Sequence, residues 1–309
     1  MTDAIPPAEI GMSMTQDSMR PKANNERIVG LFKYMRRNPA LLGGLILLFA
    51  LLVFWGAGSL LWDTSKANPL SVPAGLPPSA QFPLGTDNQG RDLLATMIAG
   101  TPLTLRIGLV AGFLGAGIGT ILAFIAGYYG GAVDTIIRTI VDIGLTVPSL
   151  LVLVVVAVSF KESLSVDQMG LVVASTAWLW PARTTRSQVI TLRERTWVKI
   201  ARLSGLRGLE IVVKEMMPNL IPYIAASLVS TISSAILACI GLEALGLGPM
   251  NSPTLGMTIY WAIFYSAIMF GMWWWWAPPI IIIAILFVGL FLVATGVDEI
   301  ANPRVRRRT

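Results

Sequence analysis

The chain's most limiting feature is a series of apolar runs with few charges, most of them near the length needed to cross a bilayer. Residues 41–62 read LLGGLILLFALLVFWGAGSLLW without a single charge. A helix needs ~20 such residues to cross ~30 Å of hydrocarbon. Comparable runs occupy about 105–128, 136–160, 170–181, 221–247 and 273–297. Of the 309 residues, 54% are apolar and 13% charged, where a soluble domain carries about 25% charged. The expected fold is an all-α membrane protein with about six transmembrane helices.

The charges between the runs set the expected orientation. Lys33, Arg36 and Arg37 precede the first run. Eight basic residues (Arg183, Arg186, Arg193, Arg195, Lys199, Arg202, Arg207 and Lys214) lie between the fourth and fifth runs, and Arg304, Arg306, Arg307 and Arg308 follow the sixth. Basic excess marks cytoplasmic segments, so both termini are expected inside. The proline-rich stretch 63–101 then lies outside, and its part 91–99 reads as a short amphipathic helix on the membrane surface. Residues 1–28 are polar and expected to be disordered, with no signal peptide, because the first apolar run starts late and is too long for one. The organisation expected is 1–28 as a cytoplasmic tail, 29–102 as first helix and outer loop, 103–304 as a core of five transmembrane helices, and 305–309 as a basic end. The core's cytoplasmic loop is placed at about 183–218.

Details inside the runs carry further expectations. Gly108, Gly112, Ala116 and Thr120 form one stripe of small residues, with Gly115 and Gly119 as a second, suited to close helix approach in lipid. Arg138 and Asp142 stand at i,i+4 and read as a structural ion pair. Pro148 is expected to kink its helix. The fourth run is short, so its helix should continue past the membrane face. Glu243 sits near the outer end of the fifth run, and no charged residue follows it through 271; that connection suits a re-entrant or interfacial helix. Trp273–Trp276 read as an interface belt, with Pro278 and Pro279 at the helix start.

Several chemistries are excluded. The chain has no histidine and one cysteine, Cys239, so a Cys/His zinc site, a His-dependent triad and an internal disulfide are impossible. No metal site and no catalytic residue is expected. GTDNQGRD (85–92) has the glycine spacing of a phosphate loop but carries Arg91 and Asp92 where Lys and Ser/Thr are needed. The net charge of +6 is explained by topology, and no nucleic-acid partner is expected. Two other classes remain open at this stage: a proton-coupled secondary transporter using Asp142 or Glu243, and a scaffold whose basic loop binds lipid headgroups.

KIARLSGLRGLEIVVKEMMPN (199–219) resembles the EAA motif of ABC importer permeases. Ala201, Gly205 and Pro218 fall at the family spacing; Lys199, Ile200, Glu215 and Met217 depart from it. GTDNQGRD resembles the outer-loop signature of the dipeptide/oligopeptide/nickel branch at Gly85, Thr86, Asp87, Gly90, Arg91 and Asp92. GYYGGAVD with Arg138, Asp142 and Pro148, GLEALGLG (241–248), the ending NPR (302–304) and the N-terminal RRNPALLGGLILL are also similar to that branch's second, C-type permease. The resemblance covers about 33–304.

What it implies is a type I ABC importer permease fold and a subunit without its own catalysis. The partners implied are a homologous permease, two ABC ATPases that carry ATP and Mg, an extracytoplasmic substrate-binding protein and the lipid membrane. The setting implied is a bacterial or archaeal cytoplasmic (inner) membrane. The coupling residues implied are Lys199, Ala201, Gly205, Leu206, Glu210, Pro218 and Asn219; Asp87, Gly90, Arg91 and Asp92 are placed in the loop where the binding protein docks. Peptides are the first substrate class implied, with oligosaccharides or nickel as alternatives, the tryptophan run inviting a sugar-stacking idea.

Overall fold

The computed structural model describes residues 38–301. The expectations for 1–28, for Lys33, Arg36 and Arg37, for NPR and for the basic end lie outside that range. Ten helices carry the fold: α1 (Pro39–Leu61), α2 (Leu93–Tyr129), α3 (Gly131–Thr146), α4 (Ser149–Val158), α5 (Val166–Ala177), α6 (Leu179–Arg193), α7 (Thr196–Leu203), α8 (Met217–Ala244), α9 (Leu255–Phe264) and α10 (Trp273–Ala301). No strand occurs among the described residues, only an isolated bridge between Thr86 and Asp92.

Among the described residues, four helical stretches are individually long and apolar enough to cross a membrane: Pro39–Leu61, Leu93–Tyr129, Gly208–Ala244 (α8 with the helical turns that lead into it) and Trp273–Glu299. A fifth crossing exists if α3 and α4 count together, and they meet at 87°. The expected third run is therefore broken, not merely kinked. Pro148 cannot donate a backbone hydrogen bond, and its neighbour Val147 is extended. The expected fourth run is α5 followed by α6, interrupted at Trp178; its helix does continue far beyond the apolar residues.

α2 is the centre of the packing, and its small residues face two different neighbours. A Cβ on Gly108 or Gly112 would collide with Ile236 or Ile232 of α8, while Gly115 and Gly119 lie against Ala177, Trp178 and Pro181. Gly127 meets Val189 near the end of α6. Each missing side chain brings two backbones together, which is how helices gain contact where lipid offers no hydrophobic drive. α1 docks on α10 through Gly44, Gly289 and Gly296. Outward faces stay apolar, with Phe49, Phe113, Val155, Leu171 and Phe291 exposed, as a lipid-solvated surface requires.

The segment 91–99 is not a separate surface helix. α2 begins at Leu93, and Leu93, Ala95, Met97 and Ile98 are buried. Leu93 packs with Ala262, Ala267, Met272 and Trp275, and Met97 with Leu51, Leu255, Ile282 and Leu286. Burial on several sides, invisible in a sequence window, merges the segment with the following span. Pro278 and Pro279 likewise lie within α10, whose first residue is Trp273.

Candidate functional site

Two clusters mark the two ends of α2. At the Tyr128 end, α7 and the segment leading into α8 form a hairpin. α7 ends in a defined stop: the Gly205 amide donates to the Arg202 carbonyl at 3.1 Å and the Leu206 amide to Ala201 at 3.3 Å. These paired bonds close a helix whose next residue is left-handed, and Gly205 has φ +85°. Glycine supplies that conformation without a Cβ penalty.

The chain then restarts. Glu210 accepts from the Arg207 amide at 3.1 Å and pairs with Lys214 at 3.4 Å. A π-helical turn, Ile211–Met216, leads into α8, with Pro218 in its first turn. Pro218 has no amide to offer the preceding turn, and the Asn219 side chain donates instead to the Glu215 carbonyl at 2.6 Å.

This hairpin is fastened to the bundle. Val198, Ala201, Ile211, Val212 and Met216 share one core with Phe124, Tyr128 and Val189, and Leu206 packs against it. Arg193 donates to the carbonyls of Gly127 and Tyr128 at 3.1 and 3.3 Å, satisfying the C-terminal end of α2 with a favourable charge. Arg202 lies over the Tyr128 ring, 5.7 Å from its centre.

Ala201 and Leu206 thus turn inward. Lys199 is exposed and bridges Glu194 at 3.3 Å, and that lysine holds the Glu194 carboxyl below its usual range. The outward side is apolar in a way the sequence comparison did not single out. Ile200, Leu203, Leu209 and Val213 are exposed, Leu203 at 87%. Helical spacing would have found the pair Ile200 and Leu203, opposite the buried Val198 and Ala201.

At the Leu93 end, GTDNQGRD folds into a tight loop used by itself. The Asp87 carboxylate accepts from the amides of Gln89 at 2.9 Å and Arg91 at 2.8 Å. Asp92 caps α2 through the Leu94 amide at 2.9 Å and accepts from the Trp62 indole at 2.8 Å. Gly90, at φ +70°, lies against the Val72 carbonyl. Asp87, Arg91 and Asp92 are buried. Burial pushes the Asp87 carboxyl up to about 6 against the pull of the Arg91 and Gln89 amides and the Arg91 charge, and pushes the Arg91 guanidinium down. These residues shape the loop; exposed neighbours such as Leu70 make its surface.

The tryptophan run is packed, not displayed. Trp275 is fully buried and stacks on Tyr265 at 5.8 Å, and Trp274 abuts Gly85; only Trp273 of the run is classed as exposed. A four-residue helical turn points its side chains in different directions, so such a run cannot form one sugar platform. Glu243 is buried and accepts from the Thr254 hydroxyl at 2.7 Å, with Gly256 closed against it. It fastens the start of α9 to the end of α8.

Arg138 and Asp142 do pair, at 3.3 Å, but within a larger set. Arg183 of α6 approaches Asp142 at 3.8 Å. Arg186 donates two hydrogen bonds to Asp134, one of them at 2.6 Å. Both links join α3 to α6 across more than forty residues of sequence, beyond any local spacing rule. No group of three metal-ligating side chains occurs among the described residues.

The family model described as the binding-protein-dependent transport system inner membrane component matches residues 119–307. An oligopeptide transport system permease protein of Mycobacterium tuberculosis is 29% identical over 172 residues, covering 56% of this chain and 59% of that protein. The chain thus matches less than two thirds of that relative's length. A dipeptide transport system permease protein of Bacillus subtilis is 28% identical over 89% of this chain and 85% of its own. A putative peptide transport system permease protein of Brucella suis is 29% identical over 95% and 97%.

Proposed function

The chain belongs to the binding-protein-dependent transport system inner membrane component family, and from that premise we propose that it is one of two permeases in an ATP-driven peptide importer. It shares a solute path with a homologous permease. Two ATPases, which carry the ATP and Mg, dock on the coupling loops of the two permeases, one of them on this chain's α7–α8 hairpin, and a substrate-binding protein docks at the Leu93 end. The chain contributes no catalytic group. The complex sits in a bacterial or archaeal cytoplasmic (inner) membrane, with both termini and the hairpin on the cytoplasmic side.

The observation that carries this reading is the hairpin's two-sidedness. One side is locked into the cores of α2, α6 and α8; the other exposes Ile200, Leu203, Leu209 and Val213 beside basic residues. Exposed apolar side chains beside basic ones on a short helix–turn–helix suit a protein interface. A partner seated there moves the hairpin and the three helix ends together. Lys199, Glu210, Pro218 and Asn219 keep the hairpin's shape, Ala201 and Leu206 seat it, and Gly205 closes its turn.

The names of the relatives favour peptides as substrate. Oligosaccharide import by the same machinery is the second reading; the packing of Trp274 and Trp275 takes the tryptophan run out of the case for it. The test is ATPase activity of the assembled complex in nanodiscs, with its binding protein and either a peptide pool or oligosaccharides. Peptide stimulation supports the reading. Stimulation by sugars alone replaces the substrate class, and failure to bind any ATPase refutes the importer.

A further inference from the structure

α3 carries a polar stripe that the other described helices leave largely exposed. Thr135, Arg138, Thr139, Asp142 and Thr146 fall within about 100° of one another around the helix, and all but the half-buried Asp142 are exposed. The three threonine hydroxyls donate only to carbonyls of their own helix. Such a stripe does not face hydrocarbon; at membrane depth it faces water or protein.

Two cavities flank α3, the second of them on this stripe. One, of about 330 Å³, lies at the α3–α4 break and is lined by Pro148, Thr176, Trp180, Ser230, Thr231 and Ser234 among others. The other, of about 360 Å³, lies between α3 and α6 and is lined by Arg138, Asp142, Arg183, Arg186 and Ser187 among others. On α6 the order runs from Trp180 through Arg183 to Arg193, which grips the Tyr128 end of α2. A solute moving from the first cavity toward the hairpin therefore passes the charged set.

That set is unbalanced. Asp134 is taken up by Arg186, and Asp142 is shared between Arg138 at 3.3 Å and Arg183 at 3.8 Å. Three guanidiniums meet two carboxylates. Arg138 and Arg183 remain more than half exposed, so donors stay available, and a guanidinium binds a carboxylate through two parallel hydrogen bonds. A neutral sugar can accept hydrogen bonds here but brings no negative charge to match this surplus.

We propose that this face of α3, α6 and α8 is the chain's half of the solute path, and that Arg138 and Arg183 receive the free carboxylate of a peptide passing toward the hairpin. The inference rests on the importer reading and names the groups that sort its substrates.

The test uses the complete complex in proteoliposomes with a pair of tripeptides, one with a free C-terminus and one with a C-terminal amide, chosen so that the binding protein accepts both. The ratio of acid to amide uptake is the readout. The double variant Arg138→Gln/Arg183→Gln lowers the ratio about tenfold, the scale of one lost hydrogen bond to a charged group. The Lys/Lys double variant keeps most of it, and Asp142→Asn, which frees both guanidiniums, raises it. Equal loss of acid and amide uptake in the Gln variant overturns the inference and leaves the importer intact, as does a fall in the ratio with Asp142→Asn. A wild-type complex that hydrolyses ATP but imports neither peptide overturns the peptide reading itself.

Discussion

Gly205 offers the sharpest test of how the hairpin works. Its φ of +85° lies where L side chains are strained, yet a Cβ built there meets no atom within 4 Å. A substitution therefore acts on the backbone, not by collision. Holding a non-glycine residue left-handed costs roughly 1–2 kcal/mol, and β-branched residues sit at the upper end. If the turn opens instead, the Gly205–Arg202 and Leu206–Ala201 bonds are lost and Leu206 leaves its core. A cost of about 2 kcal/mol shifts a local equilibrium roughly thirtyfold. Gly205→Val and Gly205→Arg should insert and assemble normally while solute imported per ATP hydrolysed falls severalfold. Gly205→Asn should lie between them and wild type, because asparagine tolerates this conformation. The assay is paired uptake and phosphate release in proteoliposomes. Wild-type coupling in Gly205→Val and Gly205→Arg would refute the idea that the turn transmits motion.

Three further outcomes follow from the geometry. Asp92→Ala removes the α2 cap and the Trp62 partner, costing about 1–2 kcal/mol, and should lower the thermal midpoint of the detergent-solubilised protein and expose the 63–92 loop to protease. Gly256→Ala drives a methyl into Glu243, and overpacking of about 1–3 kcal/mol should loosen α9; Gly241→Ala, whose nearest neighbour is a Leu150 methyl at 3.5 Å, should not, and hydrogen exchange at Leu255–Phe264 compares them. Asp87 is raised from 3.8 to about 6, so the folded loop holds a proton more tightly than the unfolded chain. Its contribution is full below pH 3.8 and lost as pH rises through about 6, so loop protection should fall between those values, and Asp87→Asn should flatten that dependence.

Much of the architecture could be read from composition and spacing because the bilayer imposes it. Long apolar runs gave α1, α8 and α10 nearly at their observed ends, and the glycine stripes of α2 found their neighbours. The misreadings have a common cause. Residues 91–99 carry few charges on one face and polar groups on another, which suits a surface helix; only the positions of α9 and α10 reveal that nearly all of that segment is enclosed. The Asp134–Arg186 link and the part played by Arg183 depend on α3 and α6 lying side by side, which sequence does not state. Motif matching also ranked residues by type rather than direction. It selected Ala201 and Leu206, which face the bundle, and treated Ile200 as a departure, although Ile200 faces outward.

α2 has 37 residues, or about 55 Å of helix, against ~30 Å of hydrocarbon. It is too long for the bilayer, and its two overhanging ends are the two places where we propose that partners meet this subunit. Its Asp92 end is tied into the outer loop and its Tyr128 end into the hairpin; Gly100 abuts the Pro253 carbonyl, and the glycine contacts with α8 and the α5–α6 junction lie midway, at Gly108 to Gly119. Mechanically that is a beam on a central fulcrum. A tilt of roughly 10° about that fulcrum would carry each tip about 5 Å in opposite directions. Docking on one side of the membrane would thus be felt as displacement on the other, without any change in the helix itself.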